Sequence, residues 1–287
     1  TATTEIYTLS LHERSSDLLR HDRAHVERRD LLTGARALSR RYDSTGWRVG
    51  SVFALQPTFS LYAQYAQAAD PVGGLLMISP ANAAFDLAEG RQLEVGLKQA
   101  FARGEWTLAA YRIRKTGLLS RDPLDPSQRV QVGAQTSRGI EASLDWAIAP
   151  QWTLTANATV LRARFEDFLE ASGTPPTLVS RAGNVPPNVA ERLANAWLSW
   201  RFRPDWTLAG GMRYVGPRYA NTANSLELPG HATSDLALSW QATADTRVAA
   251  RVFNVFNRTY YTTAYYTDTQ WLLGADRRVE FSLDHRF

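Results

Sequence analysis

The chain has 287 residues, of which 44% are hydrophobic and 21% charged, with a net charge of +4 and no cysteine. The absence of cysteine excludes disulfides, thiolate metal ligands and a cysteine nucleophile, and the scattered arginines form no basic run of the kind that indicates nucleic-acid binding. No apolar run reaches the 18 residues that indicate a transmembrane helix. A membrane β-strand needs only about 9–11 residues and faces lipid with every second one, so the low mean hydropathy is compatible with a transmembrane barrel.

Apolar residues recur with period two along most of the chain, which is typical of β-strands. In the segment 152–160, Trp152, Leu154 and Val160 lie on one face, whereas Thr155 lies on the other. This alternation predicts about 13 strands, of which the first two have the weakest pattern. In chain order, the predicted strands cover residues 2–13, 17–29, 45–55, 58–68, 89–101, 105–119, 129–148, 151–167, 191–202, 206–219, 231–242, 246–258 and 276–287.

Short and long connections alternate between these strands. The short connections are centred on residues 56–57, 102–104, 149–151, 203–205 and 242–245, and the long ones cover about 31–44, 69–88, 120–128, 168–190, 220–230 and 259–274. Tight periplasmic turns at one end and long external loops at the other are typical of outer-membrane barrels. The sequence therefore predicts an all-β fold, an antiparallel transmembrane β-barrel of the bacterial outer membrane. A soluble β-sandwich, whose apolar face points to a core, is the alternative.

Aromatic residues mark the ends of the predicted strands. The indole ring has an apolar body and a polar N–H, so it is stable at the lipid headgroup level. The final strand ends on Phe287, which resembles the assembly signal of outer-membrane proteins. Packing in one end of a sandwich core is the alternative for the tryptophans. We predict that the six tryptophans beside short connections form a membrane-interface girdle: Trp106, Trp146, Trp152, Trp200, Trp206 and Trp240.

Five segments carry recognisable sequence motifs. They are Glu94-Val95-Gly96-Leu97-Lys98, Ser137-Arg138-Gly139-Ile140-Glu141, Asn184-Val185-Pro186-Pro187-Asn188, Gly211-Met212-Arg213-Tyr214-Val215-Gly216 and Asn254-Val255-Phe256-Asn257 with the tyrosines that follow it. In this order, they resemble motifs in the C-terminal part of the barrel of the TonB-dependent outer-membrane receptors. Each motif is weak alone, and their shared order makes the resemblance specific.

The resemblance also implies what surrounds the chain. Receptors of this kind have 22 strands and a plugged lumen, so about 13 strands correspond to a partial barrel with two open edges. The plug domain and the TonB box before it are not found in the sequence. We therefore expect residues 1–287 to be the C-terminal portion of such a barrel, in a chain that starts inside a larger protein. A mature domain whose leader has been removed is the alternative.

The resemblance implies a receptor and transporter, not an enzyme, for the active uptake of a scarce nutrient. A ferric siderophore is the leading candidate; a receptor for cobalamin, haem or another nutrient, a passive porin-like barrel and a soluble β-rich protein are the alternatives. We expect no catalytic residues, no resident cofactor and no metal site, and the ligand is expected to be an iron chelate. The expected partners are outer-membrane lipid, lipopolysaccharide, the barrel assembly machinery, a small-molecule metal chelate and, for the full-length receptor, a TonB-type energy-coupling protein, but no nucleic acid.

The candidate ligand contacts lie in the long connections. Aromatic faces and cationic side chains suit flat, anionic iron complexes through stacking and charge-assisted hydrogen bonds. An upper aromatic girdle with arginines that face lipopolysaccharide is the alternative for the same residues. The candidates are Arg181, Arg218, Tyr219, Tyr260, Tyr261, Tyr265, Tyr266 and Trp271.

Overall fold

The computed structural model of the chain describes residues 2–9, 15–29, 31–32, 34, 36–70, 85–121, 129–131, 133–175, 177–265 and 270–286. None of these residues lies in an α-helix, so none forms a helix long and apolar enough to cross a membrane. One antiparallel sheet has 13 strands. These are β1 (Ala2–Leu9), β2 (Ser15–Arg29), β3 (Arg36–Gln56), β4 (Phe59–Ala69), β5 (Glu89–Phe101), β6 (Gly104–Thr116), β9 (Ala134–Ala149), β10 (Trp152–Asp167), β13 (Arg192–Arg203), β14 (Trp206–Val215), β17 (His231–Gln241), β18 (Thr246–Phe253) and β21 (Arg278–His285).

Four two-stranded hairpins lie within the long connections. They pair β7 (Leu119–Arg121) with β8 (Arg129–Gln131), β11 (Leu169–Ser172) with β12 (Thr177–Ser180), β15 (Arg218–Tyr219) with β16 (Glu227–Leu228), and β19 (Tyr261–Tyr265) with β20 (Gln270–Leu273). The sheet follows the chain order from β1 to β21, and these two strands are its edges among the described strands. The predicted all-β antiparallel architecture is therefore confirmed, and the barrel that it belongs to is not closed.

The predicted connection over residues 31–44 is wrong for most of its length, because β3 begins at Arg36. The outer part of β3 pairs with the outer part of β2, where charged side chains face each other across the ladder. For example, Arg23 Nε donates to Asp43 Oδ1 at 3.2 Å. Ladder hydrogen bonds and ion pairs stabilise this part of the sheet together with a few buried apolar residues, such as Val26 and Tyr42. The apolar residues of segment 36–44 do not alternate, so the period-two hydrophobic pattern does not detect the strand.

Side chains on the same face of adjacent strands form rows, and the two faces differ in polarity. Leu108, Ala142 and Ala158 form one row on the face that we name the apolar face. Their sequence neighbours Ser143 and Asn157 belong to a row on the opposite, polar face. Leu108 is 40% exposed although it is large and apolar. A sheet with an exposed apolar face and a polar inner face has the alternation of a membrane barrel.

Two glycines of the sequence motifs lie beneath tyrosine rings on the polar face. A Cβ atom at Gly96 would lie 2.5 Å from the ring of Tyr62, and one at Gly139 would lie 2.8 Å from Tyr111 Oη. Tyr62 Oη donates a hydrogen bond to Glu94 Oε1 at 2.9 Å. Glycine fits at these positions because a Cβ atom there would have to displace the end of the tyrosine side chain on the neighbouring strand.

The buried apolar residues concentrate at the outer ends of the strands, near the long connections. Phe165 and Phe168 stack with their ring centroids 4.5 Å apart, and both are less than a tenth exposed. Leu228 in β16 is completely buried. The buried core of the structure therefore lies at the outer ends of the strands, among the long connections. Between this core and the short turns, the strands form a single-layered sheet.

Candidate functional site

Three long connections, residues 168–191, 216–230 and 254–277, pack together at the end opposite to the short turns, and we name them the loop cluster. Asn188 connects all three. Its backbone N–H donates to the carbonyl of Tyr219 at 2.8 Å, and its side-chain oxygen accepts a hydrogen bond from Thr263 Oγ1 at 2.9 Å. Asn188 has a φ of 61°, a left-handed conformation that asparagine adopts more readily than most residues. A single residue thus joins segments that are distant in the sequence.

A second asparagine joins the first two connections of the loop cluster. Asn224 accepts a hydrogen bond from the backbone N–H of Val185 at 2.7 Å and donates to the carbonyl of the same residue at 2.8 Å. Asn184 Nδ2 donates to the carbonyl of Thr222 at 2.8 Å. These side chains pair with backbone groups as a neighbouring strand would, so they replace ladder hydrogen bonds where no regular strand exists.

Arg218 is buried at the centre of the loop cluster. Only 6% of the residue is exposed, and its Nη2 atom donates to the carbonyls of Tyr261 at 2.8 Å and Thr262 at 2.6 Å. Burial lowers the pKa of its guanidinium group from the ordinary value. Its Nη1 atom is buried with no hydrogen-bond partner among the described residues. The first role of Arg218 in this arrangement is to fix β19 against β15, and a direct ligand contact through it stays a prediction.

His231 and Tyr260 form a stacked pair beside Arg218. Their ring centroids are 4.3 Å apart with an angle of 25° between the planes. Gly274 lies directly beneath the Tyr260 ring, which leaves no room there for a Cβ atom. His231 is only 8% exposed. The stack attaches the start of the last long connection to the outer end of β17.

The predicted aromatic candidates partly come together in the structure. The rings of Tyr261 and Trp271 meet edge to face with their centroids 4.6 Å apart, and both residues are half-buried, as is Tyr219. The side chain of Tyr265 and all of Tyr266 lie outside the described residues. Aromatic rings at the outer end that are held in place but not fully covered can stack on a planar ligand.

Arg181 occupies a separate part of the loop cluster. Its Nε atom donates to Glu170 Oε2 at 2.9 Å, and the same oxygen accepts a hydrogen bond from Thr222 Oγ1 at 2.6 Å. The Arg181 side chain is 14% exposed. This pair links the β11–β12 hairpin to the second connection, so Arg181 also has a role in positioning the loops.

The six tryptophans of the predicted girdle lie on the apolar face near the short turns. Trp152 stacks on Trp200 at 5.1 Å and Trp206 on Trp240 at 5.6 Å, with interplanar angles of 7° and 13°. Phe202 bridges the two stacks, 5.5 Å from Trp200 and 6.3 Å from Trp206. The placement of the rings at a membrane interface stays a prediction, as does the role of Phe287, which lies outside the described residues.

Trp106 and Trp146 complete the set of six on the same face. Trp106 Nε1 donates to Gln99 Oε1 at 3.1 Å, and Trp240 Nε1 makes a similar bond to Asp205 Oδ2. Trp146 shares a row with Leu154. Each indole thus lies with its ring body on the apolar face, and two of the N–H groups reach polar partners.

Sequence reasoning missed several residues that build the loop cluster. Asn184, Asn188, Asn224, Glu170 and His231 connect its segments, and none was selected as a candidate. Asparagines in long connections are a general signal for left-handed turns, but their long-range partners cannot be read from the sequence. Within the described residues, no group of three or more His, Cys, Asp or Glu side chains is placed to hold a metal ion.

Comparison with known proteins identifies relatives of the chain. A family model described as TonB dependent receptor-like, beta-barrel, matches residues 19–255. The metal-pseudopaline receptor CntO of Pseudomonas aeruginosa is 27% identical over 244 residues, which are 82% of this chain and 32% of that protein. The ferrichrome outer membrane transporter/phage receptor of Escherichia coli is 25% identical over 252 residues, 84% of this chain and 32% of that protein. The chain therefore spans about a third of the length of these relatives.

The solved structure of the siderophore receptor PiuA from Acinetobacter baumannii has the same fold. It superimposes with a TM-score of 0.81 at 21% sequence identity, and the match covers 99% of this chain and 42% of that structure. Almost every residue of this chain thus has a structural counterpart in the PiuA structure, less than half of which is matched.

Proposed function

This chain belongs to the family of TonB-dependent receptor-like β-barrels of the outer membrane, and from that premise we propose that the protein containing it takes up a ferric siderophore. Two relatives are named as a metal-pseudopaline receptor and as a ferrichrome outer membrane transporter, and the solved structure with the same fold is that of a siderophore receptor. We propose that this chain acts in transport and has no catalytic role. In this proposal, residues 1–287 are the C-terminal portion of the barrel.

The observation that carries this proposal is the loop cluster at the outer end of the sheet. Asn188 and Arg218 hold three long connections together, while Tyr219, Tyr261 and Trp271 remain half-exposed. A rigid support with accessible aromatic rings suits the recognition of a bulky chelate, because little ordering is needed when the ligand binds. We propose that these three aromatic residues contact the siderophore and that Arg181 and Tyr260 support them.

The remaining candidates complete the proposed ligand surface. Tyr265 and Tyr266 follow Tyr261 in the last long connection, and Arg218 carries a positive charge at its base. An anionic iron complex would be attracted by such a charge even without direct contact. In this proposal the iron chelate is the transported ligand and not a resident cofactor.

The whole protein needs further parts for active transport. We propose that a plug domain fills the lumen and that a TonB-type protein supplies the energy to move it, as the family name implies. We also propose that the tryptophan girdle lies at the periplasmic interface, that lipopolysaccharide surrounds the outer end, and that Phe287 belongs to the signal read by the barrel assembly machinery.

Growth on individual iron sources tests this proposal. A strain that lacks the complete gene is grown under iron limitation with one ferric siderophore, haem or no added iron source at a time. We expect a growth defect with at least one siderophore that is restored by the gene, and no such defect in iron-rich medium. Deletion of the energy-coupling partner is expected to reproduce the defect.

The same growth assay separates the alternatives. If no siderophore produces a defect, the siderophore proposal fails. A defect confined to haem, or to cobalamin-dependent growth, would assign a different nutrient to the receptor. Uptake that persists without the energy-coupling partner would indicate a passive pore.

A further inference from the structure

Three arginines form one row across three adjacent strands of the sheet. The register pairs Arg112 on β6 with Arg138 on β9, and Arg138 with Arg162 on β10. Neighbouring strands are about 4.8 Å apart, so the three Cα atoms lie within about 10 Å of one another. Three like charges at this spacing repel each other, and an anion between them would remove that repulsion.

The arginine row lies at the upper boundary of the apolar face. The next row below it contains Ala110, Ile140 and Val160. Arg138 and Trp146 are eight residues apart on β9, which corresponds to about 26 Å along the strand and about 20 Å along the membrane normal at a tilt of about 40°. The apolar band of outer-membrane barrels is about 25 Å tall. Counted from Trp146, the Cα atom of Arg138 therefore lies about 5 Å inside the outer edge of this band, and a long arginine side chain extends from there to the outer-leaflet headgroups.

Nearby carboxylates neutralise only part of this positive charge. Arg114 Nε donates to Glu166 Oε2 at 2.7 Å, and Arg164 Nη1 donates to Glu191 Oε1 at the same distance. Arg112 only approaches Glu166, at 4.0 Å.

The two remaining arginines of the row have no such neighbour. Neither Arg138 nor Arg162 has a carboxylate within ion-pair distance in the part of the chain that the structure describes. Both side chains are exposed. A surface depression of 380 Å³ is lined by four arginines and one carboxylate, Arg112, Arg138, Arg162, Arg164 and Glu166. The guanidinium groups of Arg138 and Arg162 are therefore available to an external anion.

An apolar groove begins below the arginine row on the same strands. The groove has a volume of 600 Å³. Alanines form its base, and the larger side chains of Trp106, Leu108 and Met212 form its sides. Ala142 belongs to the same strand as Arg138, four residues nearer the short turns, or about 13 Å along the strand. The alanines of the groove are Ala142, Ala156, Ala158, Ala194 and Ala196.

We propose that the arginine row and the alanine groove together bind one glycolipid of the outer leaflet, with its sugar phosphates on Arg112, Arg138 and Arg162 and an acyl chain in the groove. Guanidinium groups bind phosphate through paired, charge-assisted hydrogen bonds. The lipid fits both features at once, because its phosphates lie at headgroup height and its acyl chains extend towards the membrane centre. This site faces lipid and is separate from the proposed siderophore surface.

Binding of defined lipids to the complete receptor in detergent tests this proposal. The probes are lipid A with two phosphates, lipid A with one phosphate, phosphatidylglycerol, and the bisphosphorylated disaccharide without acyl chains, with bound lipid counted by native mass spectrometry. We expect bisphosphorylated lipid A to bind best. The double variant Arg138→Gln/Arg162→Gln is expected to bind it about 25-fold more weakly, because each basic side chain at an anionic lipid surface contributes about a factor of five.

Matched variants separate the site from general charge attraction. Arg213→Gln/Arg251→Gln removes two arginines from the polar face and is expected to leave lipid A binding unchanged. Ala142→Leu/Ala158→Leu fills the groove and is expected to weaken binding of lipid A but not of the disaccharide. Heat-modifiable migration on gels verifies that every variant is folded.

Three results would overturn the proposal. They are equal binding of phosphatidylglycerol and lipid A, unchanged lipid A binding by Arg138→Gln/Arg162→Gln, and an equal loss in the polar-face variant.

Discussion

In the sheet, each side chain meets mainly the neighbours of its own row, whereas in the loop cluster three distant segments pack around buried groups. The row of Leu108, Ala142 and Ala158 needs only the alternation of each strand and a fixed register. Arg218, by contrast, depends on the carbonyls of residues more than 40 positions away. The structure of the sheet depends on patterns within each short segment of the sequence, whereas the structure of the loop cluster depends on contacts between distant segments.

This difference predicts how each region responds to mutation. A substitution in the sheet acts through the environment of one face, which is lipid or water. A substitution in the loop cluster acts through the loss of specific hydrogen bonds or ring contacts. Matched variants of the two regions should therefore differ, with the largest effects for charges placed in the sheet and the smallest for single ring contacts.

The largest expected effect concerns the two faces of β9. Ala142→Arg places a charge near the middle of the apolar face, four residues from both Trp146 and Arg138, and should destabilise the receptor by about 3 kcal/mol in lipid vesicles. The neighbouring Ser143→Arg places the same charge on the polar face and should change stability by less than about 1 kcal/mol. Urea titrations of the complete receptor measure both. Equal effects would contradict the assignment of the faces.

A smaller, local effect is expected from Arg218→Met. The substitution keeps a long side chain but removes two charge-assisted hydrogen bonds, so the last long connection should lose about 2 kcal/mol of local stability. Hydrogen exchange of residues 257–265 should accelerate by about 30-fold, since about 1.4 kcal/mol corresponds to a factor of ten. Exchange in β9 serves as the internal control. Acceleration of β9 to the same degree would show that Arg218 stabilises the whole sheet.

The smallest expected effect compares two tryptophans. Trp271→Ala removes an edge-to-face contact in the loop cluster, and Trp152→Ala removes a stacked contact in the sheet. Each contact contributes about 1 kcal/mol, so both variants should lose similar stability. Only Trp271→Ala should weaken binding of the transported siderophore, by about fivefold. Equal siderophore affinities of the two variants would remove Trp271 from the proposed ligand surface.

The strands could be predicted because alternation and turn residues are local signals. The nine residues of segment 152–160 alternate between apolar and polar, which assigns each to one face of the sheet. As predicted, β10 begins directly after the short turn, at Trp152. The outer part of β3 was missed because four of the nine residues in 36–44 are charged and its apolar residues do not alternate. The hydrophobic period reports burial in lipid, and it ends where the sheet leaves the apolar band.

The loop cluster could be predicted only as a location. The aromatic candidates Tyr261 and Trp271 were chosen by composition, and the structure places their rings in contact. Arg218 was predicted as a candidate ligand contact in an external loop, and the structure buries it against the backbone of β19. The residues next to an arginine in the sequence do not show whether its side chain is exposed or is buried with two carbonyl groups as hydrogen-bond acceptors.

The hydrogen bonds of Asn188 and Arg218 also constrain how new specificity arises in such a protein. Replacing one long connection alone would leave buried donors of the other two without partners, and this would cost stability before any ligand is tested. Exchange of all three connections as one unit keeps the hydrogen bonds of Asn188 and Arg218 within the transplanted segments. We therefore expect recombination between related genes to be tolerated best at junctions within the strands, so that the three connections are exchanged together.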